Sequence, residues 1–315
     1  MIRLAGTSAG LTSMSFRSAL RSGKRASARA FEELWRLGFR ATACLMRPEA
    51  KRLTPSGRDR VLIVAPHPDD EAIGCVGTVL LHVRSGDRVC IAVATDGRQS
   101  KVIADPAAMA RQRHREASHA SRLMRVERLE LIGLAEGEWS IGQLQAPLRA
   151  LIEEIAPGVI YAPSRIDFHP EHFKVAHALA LALAEIGASN ANDIRIRVYP
   201  VQVPLNPLLS NVVTDISTVL ADCAAVLRAY ESQAGSIRCA YRQRRYSASL
   251  HGIDGHAEEF WELSARHYAA LHAETPAGWP NVFRGMRQFP LSDPLAYLVG
   301  MNERRRIRAI AGYSP

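Results

Sequence analysis

With 315 residues, 47% apolar and 23% charged, the chain can bury a core without cross-links and fits one large α/β domain with additions. Five widely spaced cysteines with no CxxC pair argue against a disulfide framework and a thiolate-held zinc, and lead us to expect reduced thiols in a cytoplasmic protein. The net charge of +9 belongs to residues 1–60, where thirteen Lys and Arg face four Asp and Glu. The balanced remainder offers no basic face, so no nucleic-acid partner is expected.

Residues 1–57 read as a basic N-terminal extension. Phe31, Leu34, Trp35 and Phe39 fall at helical spacing, with Leu20 and Leu45 at either end, which predicts one or two amphipathic helices. Such a helix is expected to dock on the main body. The alternative is a peripheral membrane contact, or contact with a lipid-linked substrate, through residues 1–50. No run of about eighteen apolar residues occurs, so no membrane span is expected. The N-terminus also lacks the continuous apolar stretch of a secretion signal.

Beyond a linker at Thr54, Pro55, Ser56 and Gly57, strands are predicted at 61–65, 89–95, 129–134, 159–162 and 194–203. Helices of ten or more residues alternate with them, at 71–84, 107–124, 143–155 and 171–186. That order implies right-handed βαβ units, a mostly parallel sheet and a Rossmann-like three-layer sandwich over 58–263. Residues 264–315, with Trp279, Phe283, Phe289 and Tyr297, read as a C-terminal extension packed on that domain.

Two segments carry the chemistry. The first strand runs into Pro66, His67, Pro68, Asp69, Asp70 and Glu71, and the strand at 159–162 leads to Asp167, Phe168, His169, Pro170, Glu171 and His172. A parallel sheet brings both strand ends to its ligand-binding edge. Three histidines with several carboxylates suit zinc, with iron(II) or another divalent ion as the alternative. Two histidines and a carboxylate would leave positions open for water and substrate, as hydrolytic sites require.

PHPDDE after a first strand, with DxHPEH roughly a hundred residues later, resembles the PIG-L/LmbE-like N-acetylglucosamine deacetylase family. Supporting matches are Ala94-Thr95-Asp96-Gly97, Arg113 with Glu116, Ile132-Gly133-Leu134, Ala229-Tyr230-Glu231-Ser232-Gln233 and residues 257–261. The resemblance implies that His67, Asp70 and His172 bind zinc and that Asp69 is the general base for a metal-activated water. It implies that His169 stabilises the oxyanion or protonates the amine, and that Arg113 contacts substrate. A cationic His169 would match the charge developing on the acetamide oxygen. Asp167 is expected to hydrogen-bond His169 and hold its tautomer, and Arg98 to stand at the pocket rim. The family often has Asp where this chain has Glu171, a change expected to bear on how His169 is oriented.

The function expected is therefore a zinc-dependent hydrolase that removes acetyl from an N-acetylglucosamine-type conjugate. The alternative is a catalytically inactive sugar-binding or regulatory protein of the same fold.

Overall fold

The computed structural model describes residues 49–167, 169–187, 193–273 and 301–310, with a few helical positions between 34 and 45. Strands β1 (Lys51–Arg52), β2 (Arg60–Ala65), β3 (Arg88–Thr95), β4 (Arg128–Leu134), β5 (Val159–Ala162), β6 (Arg195–Val198), β7 (Val212–Asp215) and β8 (Ala257–Ser264) form one eight-stranded sheet. Their order is β1-β7-β8-β6-β5-β2-β3-β4. The pairs among β2 to β6 are parallel, β8 runs antiparallel to β6 and β7, and β1 joins β7 in parallel.

Strand alternation divides the core. In β2, Val61, Ile63 and Ala65 join one apolar cluster while Leu62 and Val64 join the other, and all five are fully buried. Helices α1 (Asp70–Ser85), α2 (Pro106–Met124) and α5 (Leu220–Arg228) cover the first side. Helices α3 (Ile141–Ile155), α4 (Pro170–Ile186) and α7 (Ala265–His272) cover the second. The result is the expected three-layer sandwich. Between α5 and β8 lies α6 (Ala234–Leu250), and α8 (Met301–Ile310) buries Ile307 in the second cluster.

Local signals explain the helix starts. Asp105 caps α2 by accepting the backbone N–H groups of Ala107 and Ala108, and Pro106 occupies the first turn, where no N–H is missed. His169 caps α4 in the same manner, with Pro170 following.

The sheet departs from expectation at its other end. The strand predicted to reach residue 203 stops at Val198, because Pro200 and Pro204 cannot donate to a ladder. Strands β7 and β8 were not anticipated, and β8 makes the sheet mixed.

Leu34, Leu37 and Leu45 are 67%, 61% and 80% exposed, so at these positions the expected docking of the N-terminal helix is not met. Phe31, Trp35, Phe39 and the aromatic tail around Trp279, Phe283, Phe289 and Tyr297 lie outside the described residues. Among the described residues, no helix is long and apolar enough to cross a membrane.

Candidate metal centre and active site

The carboxyl ends of β2, β3, β4 and β5 deliver the polar residues to one edge of the sheet. β2 exits through His67, Pro68, Asp69 and Asp70 into α1. β5 exits through a turn to Asp167, His169 and His172.

Asp70 Oδ2 is the meeting point. It accepts the backbone N–H of His67 at 2.8 Å, and lies 3.0 Å from His67 Nδ1 and 3.2 Å from His172 Nε2. The far side of each ring has its own carboxylate: His67 Nε2 is 3.1 Å from Glu136 Oε1, and His172 Nδ1 is 3.1 Å from Asp167 Oδ2. All of these side chains are buried. With the far nitrogens tied down, both rings present the opposite nitrogen to Asp70, the arrangement by which outer carboxylates fix the tautomer of metal-ligating histidines.

The donor chemistry fits a borderline divalent cation. His169 adds a third imidazole, and one ring nitrogen from each of His67, His169 and His172 can be chosen so that all lie within 4.8 Å of one another.

Charge follows the same geometry. Burial pushes His67 down, but Asp70 and Glu136 override it and lift the imidazole to about 9. For His172, burial again lowers, and Asp70 with Asp167 raises the ring to about 10. Burial would raise Asp70, yet the two imidazoliums hold it well below the usual carboxylate range. His169 is pushed down to about 4 by burial and by its cationic neighbours. It is therefore neutral in this arrangement, not cationic as expected.

Asp69 sits just before α1 with φ at 143°, a sparsely populated conformation for a residue with a Cβ. Such a residue costs about 1–3 kcal/mol. The buried side chains of β2, at about 1.5–3 kcal/mol for each large one, readily offset that. The Asp69 carboxylate makes no capping bond and instead meets Arg113, whose Nη2 lies 2.5 Å from Asp69 Oδ1 and donates also to the Pro68 carbonyl. Burial raises Asp69 to about 6 against the pull of Arg113. A carboxyl raised that far titrates close to neutral pH.

Three of the expected site residues meet partners that the sequence did not suggest. Arg113, expected to contact substrate, is buried and pairs with Asp69. Gly97, at φ 66°, makes this possible, since a Cβ there would lie 2.6 Å from Arg113 Cδ and Nε. Asp167 bonds His172, not His169. His169 is turned into the cap of α4, where its Nδ1 accepts the Glu171 N–H at 3.3 Å, whereas His172 lies in the first turn facing Asp167. The Glu171 carboxylate accepts the Trp139 Nε1–H.

Arg98 pairs with Asp96 at 2.6 Å and lines a cavity of about 700 Å3 with Gln99, Lys101, Glu136 and Glu138. Through Glu136 this cavity adjoins His67. Glu136 was missed in the sequence; its one signal is its place just beyond the third parallel strand. The loop after β3 holds it, with Gln99 N–H donating to Glu136 Oε2 and Asp96 Oδ1 accepting the Glu136 N–H.

Residues 62–184 match the family described as PIG-L: GlcNAc-PI de-N-acetylase. A probable N-acetyl-alpha-D-glucosaminyl L-malate deacetylase 2 of Bacillus anthracis is 27% identical over 136 residues, covering 40% of this chain and 60% of that protein. The chain thus spans about 60% of the length of the first curated relatives it matches. Among solved structures, N,N'-diacetylchitobiose deacetylase from Pyrococcus horikoshii superposes with a TM-score of 0.58 at 18% identity, over 70% of this chain and 88% of that one. GalB, the 4-carboxy-2-hydroxymuconate hydratase of Pseudomonas putida KT2440, superposes with a TM-score of 0.51 at 16% identity, over 64% and 95%. At such identities the superpositions establish a shared fold alone, and that fold serves a hydratase as well as a deacetylase. The sequence match and the motifs it contains agree on one statement: residues 62–184 of this chain are similar to the PIG-L family.

Proposed function

We propose that the protein is a metal-dependent N-deacetylase acting on an N-acetylated amino-sugar conjugate of the N-acetylglucosamine type, with residues 58–263 as its catalytic unit. The observation that carries this reading is the convergence of His67, Asp70 and His172 beside a strained, buried Asp69. His67, Asp70 and His172 would hold the cation, zinc by preference or iron(II). When bound, it supplies a Lewis acid that acidifies water and polarises the acetamide carbonyl.

The chain's own groups supply the proton chemistry. Asp69 takes a proton from the attacking water, and its raised affinity for that proton suits it to pass the proton to the departing amine. Because His169 Nδ1 accepts from Glu171, the ring's proton sits on Nε2, where a neutral imidazole can donate to the developing oxyanion. Asp167 and Glu136 keep the two ligand rings oriented. Arg98 and Lys101, at the rim of the adjoining cavity, are the groups proposed to meet the rest of the conjugate.

The exposed stripe of Leu34, Leu37 and Leu45, within a segment rich in Arg and Lys, supports a second element: residues 1–50 contact an anionic membrane surface. Flotation with vesicles containing phosphatidylglycerol tests it, and protein left at the bottom of the gradient at low salt would refute it.

The deacetylase reading is tested by acetate release from a panel of N-acetylglucosamine conjugates. Release should vanish with a chelator and return with zinc or iron(II). Absence of release from every conjugate, with metal bound stoichiometrically, would point to another amide or to a binding role.

A further inference from the structure

Two motifs remain unexplained by the deacetylase chemistry: Arg113 with Glu116 on α2, and Tyr230 with Ser232 after α5. Both lead to Asp69. The backbone N–H of Asp69, displaced by the positive φ, donates to Glu71 Oε2 at 3.3 Å. The other oxygen of Glu71 accepts the hydroxyl of Tyr230. Glu71 and Tyr230 are 2% and 1% exposed, so this bond lies away from water. The segment bearing Tyr230 is pinned in turn, because Ser232 donates its N–H at 3.0 Å and its hydroxyl at 2.7 Å to the Glu116 carboxylate. Glu116 stands one helical turn from Arg113, which grips the Asp69 side chain.

We propose that Tyr230 and Glu71 are positioning residues that hold Asp69 in its strained backbone conformation, so that α2 grips this one aspartate twice. Arg113 holds the carboxylate directly. Glu116, through Ser232, Tyr230 and Glu71, holds the peptide. A conformation of this kind persists only where its surroundings over-determine it. Without the Glu71 acceptor, the Asp69 N–H would be buried unpaired and the residue would relax toward negative φ. A carboxylate displaced by about 1 Å from a reacting water loses about 100-fold in rate.

The kinetic part of this inference rests on the deacetylase reading, and the structural part does not. The test therefore uses both. Crystal structures of full-length Tyr230→Phe and Glu71→Ala should show Asp69 shifted from its positive φ, most in Glu71→Ala. Glu71→Gln, which keeps an acceptor for the Asp69 N–H, should leave it in place. On the best conjugate, Tyr230→Phe should lower kcat by about 10- to 100-fold with KM and bound metal within about two-fold, while Glu71→Gln retains most of the activity. An unmoved Asp69 in Tyr230→Phe and Glu71→Ala would overturn the proposal whatever the substrate. So would a loss of activity matched by a loss of bound metal or of thermal stability. A wild-type protein inactive on every conjugate would instead refute the deacetylase reading, with the crystallographic arm still deciding the clamp.

Discussion

Replacing Arg113 by methionine isolates the electrostatic role of the guanidinium while keeping much of its buried volume. The pair lies 2.5 Å apart, with each side chain less than a tenth exposed. With charge centres about 4 Å apart and an effective dielectric constant near 20, the attraction is about 4 kcal/mol, or about three pH units. Ion pairs of this kind commonly shift a carboxylate by about one to three units. Asp69, already lifted to about 6 by burial, should therefore rise into the range of about 7–9. As the base must be ionised to act, activity at pH 7 should fall by about two- to 100-fold and return as the pH approaches about 9.5. Stability should follow the same group. A carboxyl whose folded pKa lies above its unfolded value favours folding in acid and loses that contribution as pH rises through the folded value. The variant should therefore melt near the wild-type temperature at pH 5 and well below it at pH 8. The assay is a pH-rate profile of acetate release beside thermal melts. A rate depressed equally at every pH, with an unmoved acid limb, would refute the reasoning and return Arg113 to substrate binding.

The metal-free protein makes a second prediction. His67 and His172 are raised to about 9 and 10, so their contribution to stability is complete below about 6.5 and disappears as pH rises through those values. Melting temperatures of chelated protein should fall between pH 7 and 10. Zinc binding at pH 7 should release protons, read by calorimetry in buffers of different ionisation enthalpy; binding without release would contradict the pairing with Asp70. Packing gives a third. A Cβ on Gly74 would lie 2.2 Å from Tyr199 Cδ2, on a buried ring whose hydroxyl donates to the Val64 carbonyl. Gly74→Ala should cost about 1–3 kcal/mol in urea unfolding, and a change under about 0.5 kcal/mol would show that the contact is soft.

The parallel half of the fold was legible because its strands are short apolar runs punctuated by proline, glycine and helix caps. The antiparallel strand β8 was not. Its sequence holds Glu258 and Glu259 where a strand should show buried apolar residues, and both are buried. Glu258 is matched by Arg244 at 2.9 Å and by the N–H groups of Gly77 and Thr78, partners that only the folded chain brings near. The candidate metal centre follows the same division. His67, Asp69, Asp70 and His172 announce themselves because two short motifs concentrate ligand chemistry at strand ends. Glu136 is a single residue on a connecting segment, and Tyr230, though it lies in a motif the sequence offered, has neighbours that say nothing of its partner Glu71. The partner of Asp167 was misjudged for a geometric reason: the helix cap at His169 turns that ring away and leaves His172 facing the carboxylate.

The most direct test of the account compares acetate release by wild-type protein and by Asp69→Asn, both loaded with zinc, on the conjugate that wild type hydrolyses fastest. The substitution preserves size and removes the base. The account predicts that Asp69→Asn binds zinc as wild type does and loses at least about 100-fold in rate. A variant that releases acetate at the wild-type rate would contradict the central role assigned to Asp69.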